Sequence, residues 1–260
     1  LEQGKAQGEE PVSELRVEQL HTQEEFDACV HLQQKTWQYS AGELLPRRVF
    51  FLADKLGGHV LGAWDGDSLV GFNLGLPAHR HGMAYIHSQM LAVLPEYRNS
   101  GLGRTMKLRQ RELALEQGIK LIEWTYDPLE IKNSFFNLSR LGAISRRYVP
   151  DFYGASSSPL QGGLPTDRLY AEWWIDSDHA KRVMAREPMK ENVEATVSVP
   201  AQIYAWKADG DKHAAETQTR VRDALQRHFA EGLAVIGYDR AEDGTGAFLL
   251  GLLPAELPKY

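Results

Sequence analysis

The stretch LAVLPEYRNSGLGRTMK (residues 91–107) limits what this chain can fold into more than any other. An apolar, strand-like run stops at Pro95. Two glycines one residue apart, Gly101 and Gly103, then separate it from a helical pattern. A tight strand-to-helix loop aims the amides of the first helical turn in one direction, and those amides have no partners inside the helix. The helix dipole makes the same spot favourable for an anion, and glycine lets backbone come close to it. With Arg98 and Arg104 alongside, the loop can cradle a diphosphate. It is not a phosphate loop of the Gly-Lys-Ser/Thr kind, and Met106 stands where a dinucleotide fingerprint has its third glycine.

The patterns on either side predict alternating strands and helices. LRVEQL (15–20) alternates as a strand, and Thr22 with Glu25 forms a capping box opening a helix to Trp37. A short helix is expected over Arg47–Lys55, a hairpin over 59–77 turning at Asp65-Gly66-Asp67, and a strand over 84–94. A helix follows from Leu102 to Gly118, a strand over 120–128, and a helix over Ile131–Leu141 stopping at Gly142. RRYVPDFYG and RLYAEWWI read as a closing strand pair around a long aperiodic loop, Ser156–Asp167. Residues 177–260 form a second segment, with a strand at ATVSVP, a helix over 213–230 and a hairpin at LAVIGYDRAEDGTGAFLLGLL. Residues 1–14 are polar and read as a disordered lead-in.

Composition narrows the function classes. With 43% hydrophobic and 25% charged residues, the 260-residue chain can bury a large core. A net charge of −6 gives no basic field, so a nucleic-acid partner is not expected and any anion site must be local. Apolar runs are too short to span a bilayer, so no membrane association is expected. The single cysteine, Cys29, rules out an internal disulfide and suits a cytoplasmic location. Cys29 sits among apolar neighbours and reads as a core residue rather than an acyl carrier. No metal-ligand spacing stands out. The oligomeric state is open, a dimer included.

LAVLPEYRNSGLG, after a hairpin and before a long helix, resembles the acyl-CoA-binding motif of the GNAT acetyltransferase superfamily, R/Q-x-x-G-x-G/A, through Arg98, Gly101 and Gly103. The order of elements over 15–176 is similar too. IEWTYDPL, FNLSRLGA and LPTDRL resemble a little-described branch of that superfamily with a C-terminal extension. The resemblance implies an α/β fold: a mixed, mostly antiparallel sheet with a splayed central strand pair flanked by helices, and an extension over 177–260 packed on the sheet. It implies acetyl-CoA as acyl donor, with no metal, and an unknown amine as acceptor. The amides of Arg98, Asn99, Ser100, Gly101, Leu102, Gly103 and Arg104 would meet the pyrophosphate. The backbone of Leu91 and Val93 would pair with the pantetheine arm, and Asn133 and Asn137 would hydrogen-bond the donor.

Amide formation from a thioester needs a neutral amine, a polarised carbonyl and a protonated leaving thiolate. The resemblance makes the Leu91 amide the oxyanion donor and puts a base four residues earlier, at His87, with Glu123 on the next strand as the second candidate. Histidine titrates in the range that suits an amine proton, taken directly or through water. A buried Glu123 would need a partner. Asp127, before Pro128, reads as a turn-former. The family's usual acid, a tyrosine four residues before Gly142, is replaced by Leu138. Ser139, Tyr148 and Tyr153 are substitutes by proximity, and Trp124, Tyr126, Tyr148, Tyr153, Trp173 and Trp174 are candidates to line an acceptor groove. The leading expectation is an N-acyltransferase. The missing tyrosine leaves open a catalytically weak or inactive acyl-CoA-binding or regulatory module.

Overall fold

A computed structural model describes residues 15–37, 42–154 and 161–259. The lead-in expected over 1–14, and part of the long loop after Gly154, lie outside the described residues. The elements run in chain order as β1 (Arg16–Gln19), α1 (Gln23–Trp37), α2 (Arg47–Lys55), β2 (His59–Asp65), β3 (Ser68–Arg80), β4 (Met83–Val93), a 3-10 turn (Pro95–Tyr97) and α3 (Leu102–Glu116). Then come β5 (Leu121–Tyr126), α4 (Ile131–Ser139), β6 (Tyr148–Val149), β7 (Arg168–Trp174) and α5 (Asp178–Met184). The chain continues with β8 (Ala195–Val199), α6 (Ile203–Asp209), α7 (Lys212–Ala230), β9 (Leu233–Arg240) and β10 (Gly246–Leu252).

The capping box forms as its chemistry requires. Glu25 accepts the His21 and Thr22 amides at 2.8 Å each, and Thr22 Oγ1 accepts the Glu25 amide at 3.3 Å. The first hairpin outruns its expected end at Pro77, because β3 continues to Arg80 and turns through His81-Gly82. Proline is tolerated there because β2 pairs with β3 only as far as Gly75, which leaves Pro77 an open flank for its missing N–H. The expected closing strand pair is short, with β6 only two residues long. The helices α5 and α6 carry no strong amphipathic pattern, being seven residues each, and the sequence did not announce them.

Seven strands form a sheet in the order β1-β2-β3-β4-β5-β7-β6, all antiparallel except β4 with β5. On one face, Phe26 and Cys29 of α1 and Phe50 of α2 pack on Phe72, Leu74 and Ala92. Cys29 is fully buried and burial pushes its thiol up, so it is a packing residue and not a nucleophile. On the other face, Leu102 and Met106 of α3 cover Leu61, Ala63 and Val70.

Residues beyond 177 build a separate three-stranded sheet, β8-β10-β9, rather than another strand of the first. The two sheets meet at Ile144 and Ser145: Ile144 bridges Glu172 of β7, and Ser145 exchanges backbone hydrogen bonds with Val235 of β9 at 3.0 and 2.8 Å. One apolar cluster runs through both units, from Trp173 and Leu169 to Val221, Val235 and Phe248. Two ion-pair sites add to it. Arg222 of α7 chelates the fully buried Asp167 at 2.8 and 3.0 Å, and Lys207 of α6 bonds Asp127 and Glu130 at 3.0 and 2.9 Å.

Candidate functional site

The parallel pair β4–β5 holds together over two positions only, Ile86↔Ile122 and His87↔Glu123. Beyond these the strands diverge. β4 stays paired with β3, so its edge toward β5 is open. Leu94 donates to Val70 across the β3 side, and antiparallel alternation then turns the amides of Leu91 and Val93 toward the gap. The Val93 carbonyl accepts Arg98 Nε at 3.1 Å, so of its backbone groups the amide is the one left for a ligand.

A β-bulge at Gln89 changes which residues face which way. Gly75 opposes Ser88 and Leu74 opposes Met90, with Gln89 unpaired between them. Before the bulge Ser88 points at α3, and after it Leu91 does. Simple alternation through this stretch therefore misplaces His87. Its side chain lies on the face away from α3, with Glu123 and Arg147.

The gap opens into a cleft of about 870 Å³ that runs from the loop residues Arg98, Asn99, Gly101, Gly103 and Arg104 to Thr36, Trp37 and Thr125. Of the expected site residues, the cleft brings together Leu91, Val93, Arg98, Asn99, Gly101, Gly103, Arg104 and Asn133. Gly101 caps α3 at φ 90°, a backbone geometry that favours glycine. A Cβ on Gly103 would project into the cleft, meeting only Leu91 Cδ2 at 3.8 Å.

Other expected residues are used differently. Ser100 is a local cap, donating to the Tyr97 carbonyl at 2.7 Å and accepting the Leu102 amide at 3.4 Å. Leu102 is core, and the Arg104 amide is bonded to the Gly101 carbonyl at 2.9 Å. Asn137 is buried at 1% exposure on the inner face of α4 and does not reach the cleft, so its expected ligand role is corrected. The sequence missed four further cations that line the cleft: Lys132, Arg140, Arg168 and Arg186. With Arg98 and Arg104 they make six, and none forms an ion pair among the described residues. The two carboxylates on the rim, Asp127 and Glu130, share Lys207, which offsets one of their two charges. Burial works against the Lys207 charge, but the two carboxylates outweigh it and hold its ammonium above the usual lysine range. Asp127 also accepts the Leu129 amide at 2.8 Å, the turn-forming role expected of it.

Glu123 is 1% exposed, and it has the partners a buried carboxylate needs. Arg80 grips it at 3.2 and 2.6 Å, and Arg147 bonds the same carboxylate. An amine proton would have to displace a guanidinium, which weighs against Glu123 as the base. His87 lies in register beside it. Burial lowers the His87 pKa and Lys107 and Arg147 lower it further, while Glu123 and a hydrogen bond with Gln89 pull the other way. The net lowering keeps the imidazole neutral near pH 7, with a lone pair to offer.

The candidates for the missing acid separate clearly. Leu138 is fully buried core. Ser139 Oγ donates to the Tyr238 carbonyl at 2.5 Å and accepts the Tyr238 amide at 3.1 Å, so it fastens β9. Tyr148 donates to Asp167 at 2.5 Å, and burial with that bond pushes its phenol up. Tyr153 alone of the three is exposed, with its hydroxyl 3.3 Å from Thr125 Oγ1 at the cleft. Trp124, Tyr126, Trp173 and Trp174 are core rather than acceptor lining.

Sequence comparison matches residues 26–136 to the Acetyltransferase (GNAT) family. No curated protein matches the chain in sequence. Among solved structures, a protein assigned to the GNAT acetyltransferase family from Desulfovibrio desulfuricans is 15% identical with a TM-score of 0.51, over 62% of this chain and 99% of that one. The ribosomal-protein-S18-alanine N-acetyltransferase of Escherichia coli is 14% identical with a TM-score of 0.50, over 63% and 96%. The yncA protein of Salmonella typhimurium, solved with its cofactor acetyl-CoA, is 14% identical with a TM-score of 0.50, over 64% and 96%. Those likenesses establish the fold of the larger sheet and its helices. The family match gives the chain an Acetyltransferase (GNAT) domain over residues 26–136.

Proposed function

We propose that the chain is an acyl-CoA-dependent N-acyltransferase, moving acetyl from acetyl-CoA to an amine by direct attack while both are bound. The observation that carries the reading is the open edge of β4 leading from a glycine-bearing loop into a cleft with six cations that form no ion pair among the described residues. That is the chemistry a diphosphate on an extended amide-bearing arm requires. The Salmonella relative's acetyl-CoA supports the choice of donor. Bound there, the donor supplies an activated thioester carbonyl.

The chain's own residues supply the rest. The loop amides and the cations hold the phosphates, and the open edge at Leu91 and Val93 pairs with the arm. The Leu91 amide then faces the position where negative charge grows on the carbonyl oxygen. His87, neutral on the far face, accepts the amine proton directly or through water. The acceptor enters from that far face, where Tyr153 and Thr125 border the cleft.

A second reading is an acyl-CoA-binding module without turnover, and Leu138 in place of an acid is the observation that favours it. One experiment separates the two: titrate the whole chain with acetyl-CoA, then screen amines for thiol release. Binding with release for any amine supports the transferase. Binding without release across peptide, polyamine and aminoglycoside amines supports the module, and no binding refutes both.

A further inference from the structure

We propose that Lys107 is the group that protonates the leaving thiolate, the task Leu138 cannot perform. The inference rests on the acyl-transfer reading above. Lys107 sits on the sheet-facing side of α3, 3% exposed, with no carboxylate in ion-pair reach among the described residues. Its Nζ donates to Ser88 Oγ at 2.7 Å and to Gln110 Oε1 at 3.4 Å, and lies 3.8 Å above the Trp124 ring.

The placement of those two contacts is what matters. Strand pairing ends at His87↔Glu123, so Ser88 and Trp124 are the first residues of β4 and β5 past the divergence. The ammonium therefore sits at the vertex of the splay. The cleft lining begins one residue further along each strand, at Gln89 and Thr125. An arm with its phosphates at residues 98–104, lying along Val93 and Leu91, runs toward that vertex with its sulfur end leading.

Neutral partners alone hold the ammonium: Ser88, Gln110 and the Trp124 ring. A methionine or leucine would fill the same volume without the desolvation of a charge. Burial lowers Lys107 to about 7, near and below an ordinary thiol at ~8.5, so proton transfer from it to a thiolate is favourable. The titratable groups nearest along the strands are His87 and Glu123, both on the opposite face. The other polar neighbours, Asn73 of β3 and Gln110 of α3, are neutral.

The step balances without any further reagent. After the amine has added to the thioester carbonyl, the carbon–sulfur bond breaks and its electron pair stays on sulfur. Lys107 gives that sulfur a proton and is left as a neutral amine, which solvent reprotonates. The proton shed by the attacking amine leaves separately, to His87 or water.

The test needs no acceptor. Coenzyme A, with its free thiol, is titrated into the whole chain between pH 6 and 9.5, following thiolate absorbance and proton release by calorimetry in two buffers. The parent complex should lose a proton near pH 7 with no rise in thiolate absorbance, because Lys107 titrates before the thiol, and Lys107→Met should lose none there. Acetyl-CoA, which has no thiol proton, should bind parent and variant within threefold. If Lys107→Met does not fold, Lys107→Gln carries the same comparison. Identical proton release near pH 7 in parent and variant, with acetyl-CoA bound by both, overturns the role of Lys107. Failure of the parent to bind acetyl-CoA overturns the donor site itself, which is a different result.

Discussion

Gly101 and Gly103 stand one residue apart and should fail in opposite ways. Gly101 has φ 90° with open space around it, so a Cβ there meets no atom and strains only the backbone. Holding a β-branched residue in that region costs about 1–2 kcal/mol. Gly101→Val should therefore lower stability by that amount. Gly103 is helical, and a Cβ there meets nothing nearer than Leu91 Cδ2 at 3.8 Å. Valine and glycine differ by only about 0.5 kcal/mol in a helix, so Gly103→Val should melt with the parent. Its methyl groups, however, fill the space a phosphate needs. Losing one charge-assisted hydrogen bond costs about 1.5–3 kcal/mol, a tenfold to hundredfold loss of acetyl-CoA affinity. Urea denaturation and calorimetric titration on both variants measure the two effects separately. If folded Gly103→Val binds acetyl-CoA as tightly as the parent, the donor phosphates do not lie on this loop.

Four further outcomes follow from the same geometry. Arg222→Ala leaves Asp167 buried without its guanidinium and should destabilise by about 3–5 kcal/mol in urea; a loss under ~1 kcal/mol would show the pair is dispensable. Leu138→Tyr, intended to restore the usual acid, should instead overpack a fully buried site at a cost of about 1–3 kcal/mol and leave turnover no faster. Lys107→Met should be more stable than the parent at pH 7. Both folded and unfolded parent carry the proton below about 7, and above it the native chain sheds the proton first, so the gap in urea melts should narrow as the pH rises toward ~10. His87→Ala should lower kcat about 10²-fold with acetyl-CoA affinity unchanged. The parent's pH–rate profile should rise through a pKa below ~6.5, since burial lowers it; an unchanged profile in His87→Ala passes the role to solvent.

The elements that carry strong local signals were legible in the sequence: the capping box at Thr22, the glycine-spaced loop at 101–103 and the period of α3 all act over a few residues. The loop therefore marked one end of the cleft, and Arg98 and Arg104 came with it. The rest depends on register and tertiary contact. The bulge at Gln89 adds one residue to β4, and nothing in YIHSQMLAV marks it, so the face of His87 could not be read by counting. Asn137 and Leu138 sit where helical phase and α5 packing decide burial, which the ILE-poor pattern IKNSFFNLS leaves ambiguous. Lys107 was hidden because a lysine among leucines and arginines on a helix reads as solvated. Arg186 follows α5, which packs against the turn after α4, where Ala180 backbone lies 2.8 Å from the place of a Cβ on Gly142.

The ion pairs of α6 and α7 have a consequence for how the chain is made. Asp127, Glu130 and Asp167 leave the ribosome well before Lys207 and Arg222. Until those cations emerge, the β5–α4 turn and the stretch around Asp167 hold carboxylates in places meant to be dry. The larger sheet can pair during synthesis, since its strands all precede residue 176, and domains tend to form as their residues appear. The rim of the cleft is then the last part of this half to settle, and it settles only when the other half is nearly finished. A nascent chain stalled before residue 207 should accordingly have a protected sheet and an unprotected cleft rim, a difference that protease digestion of arrested ribosome complexes would reveal.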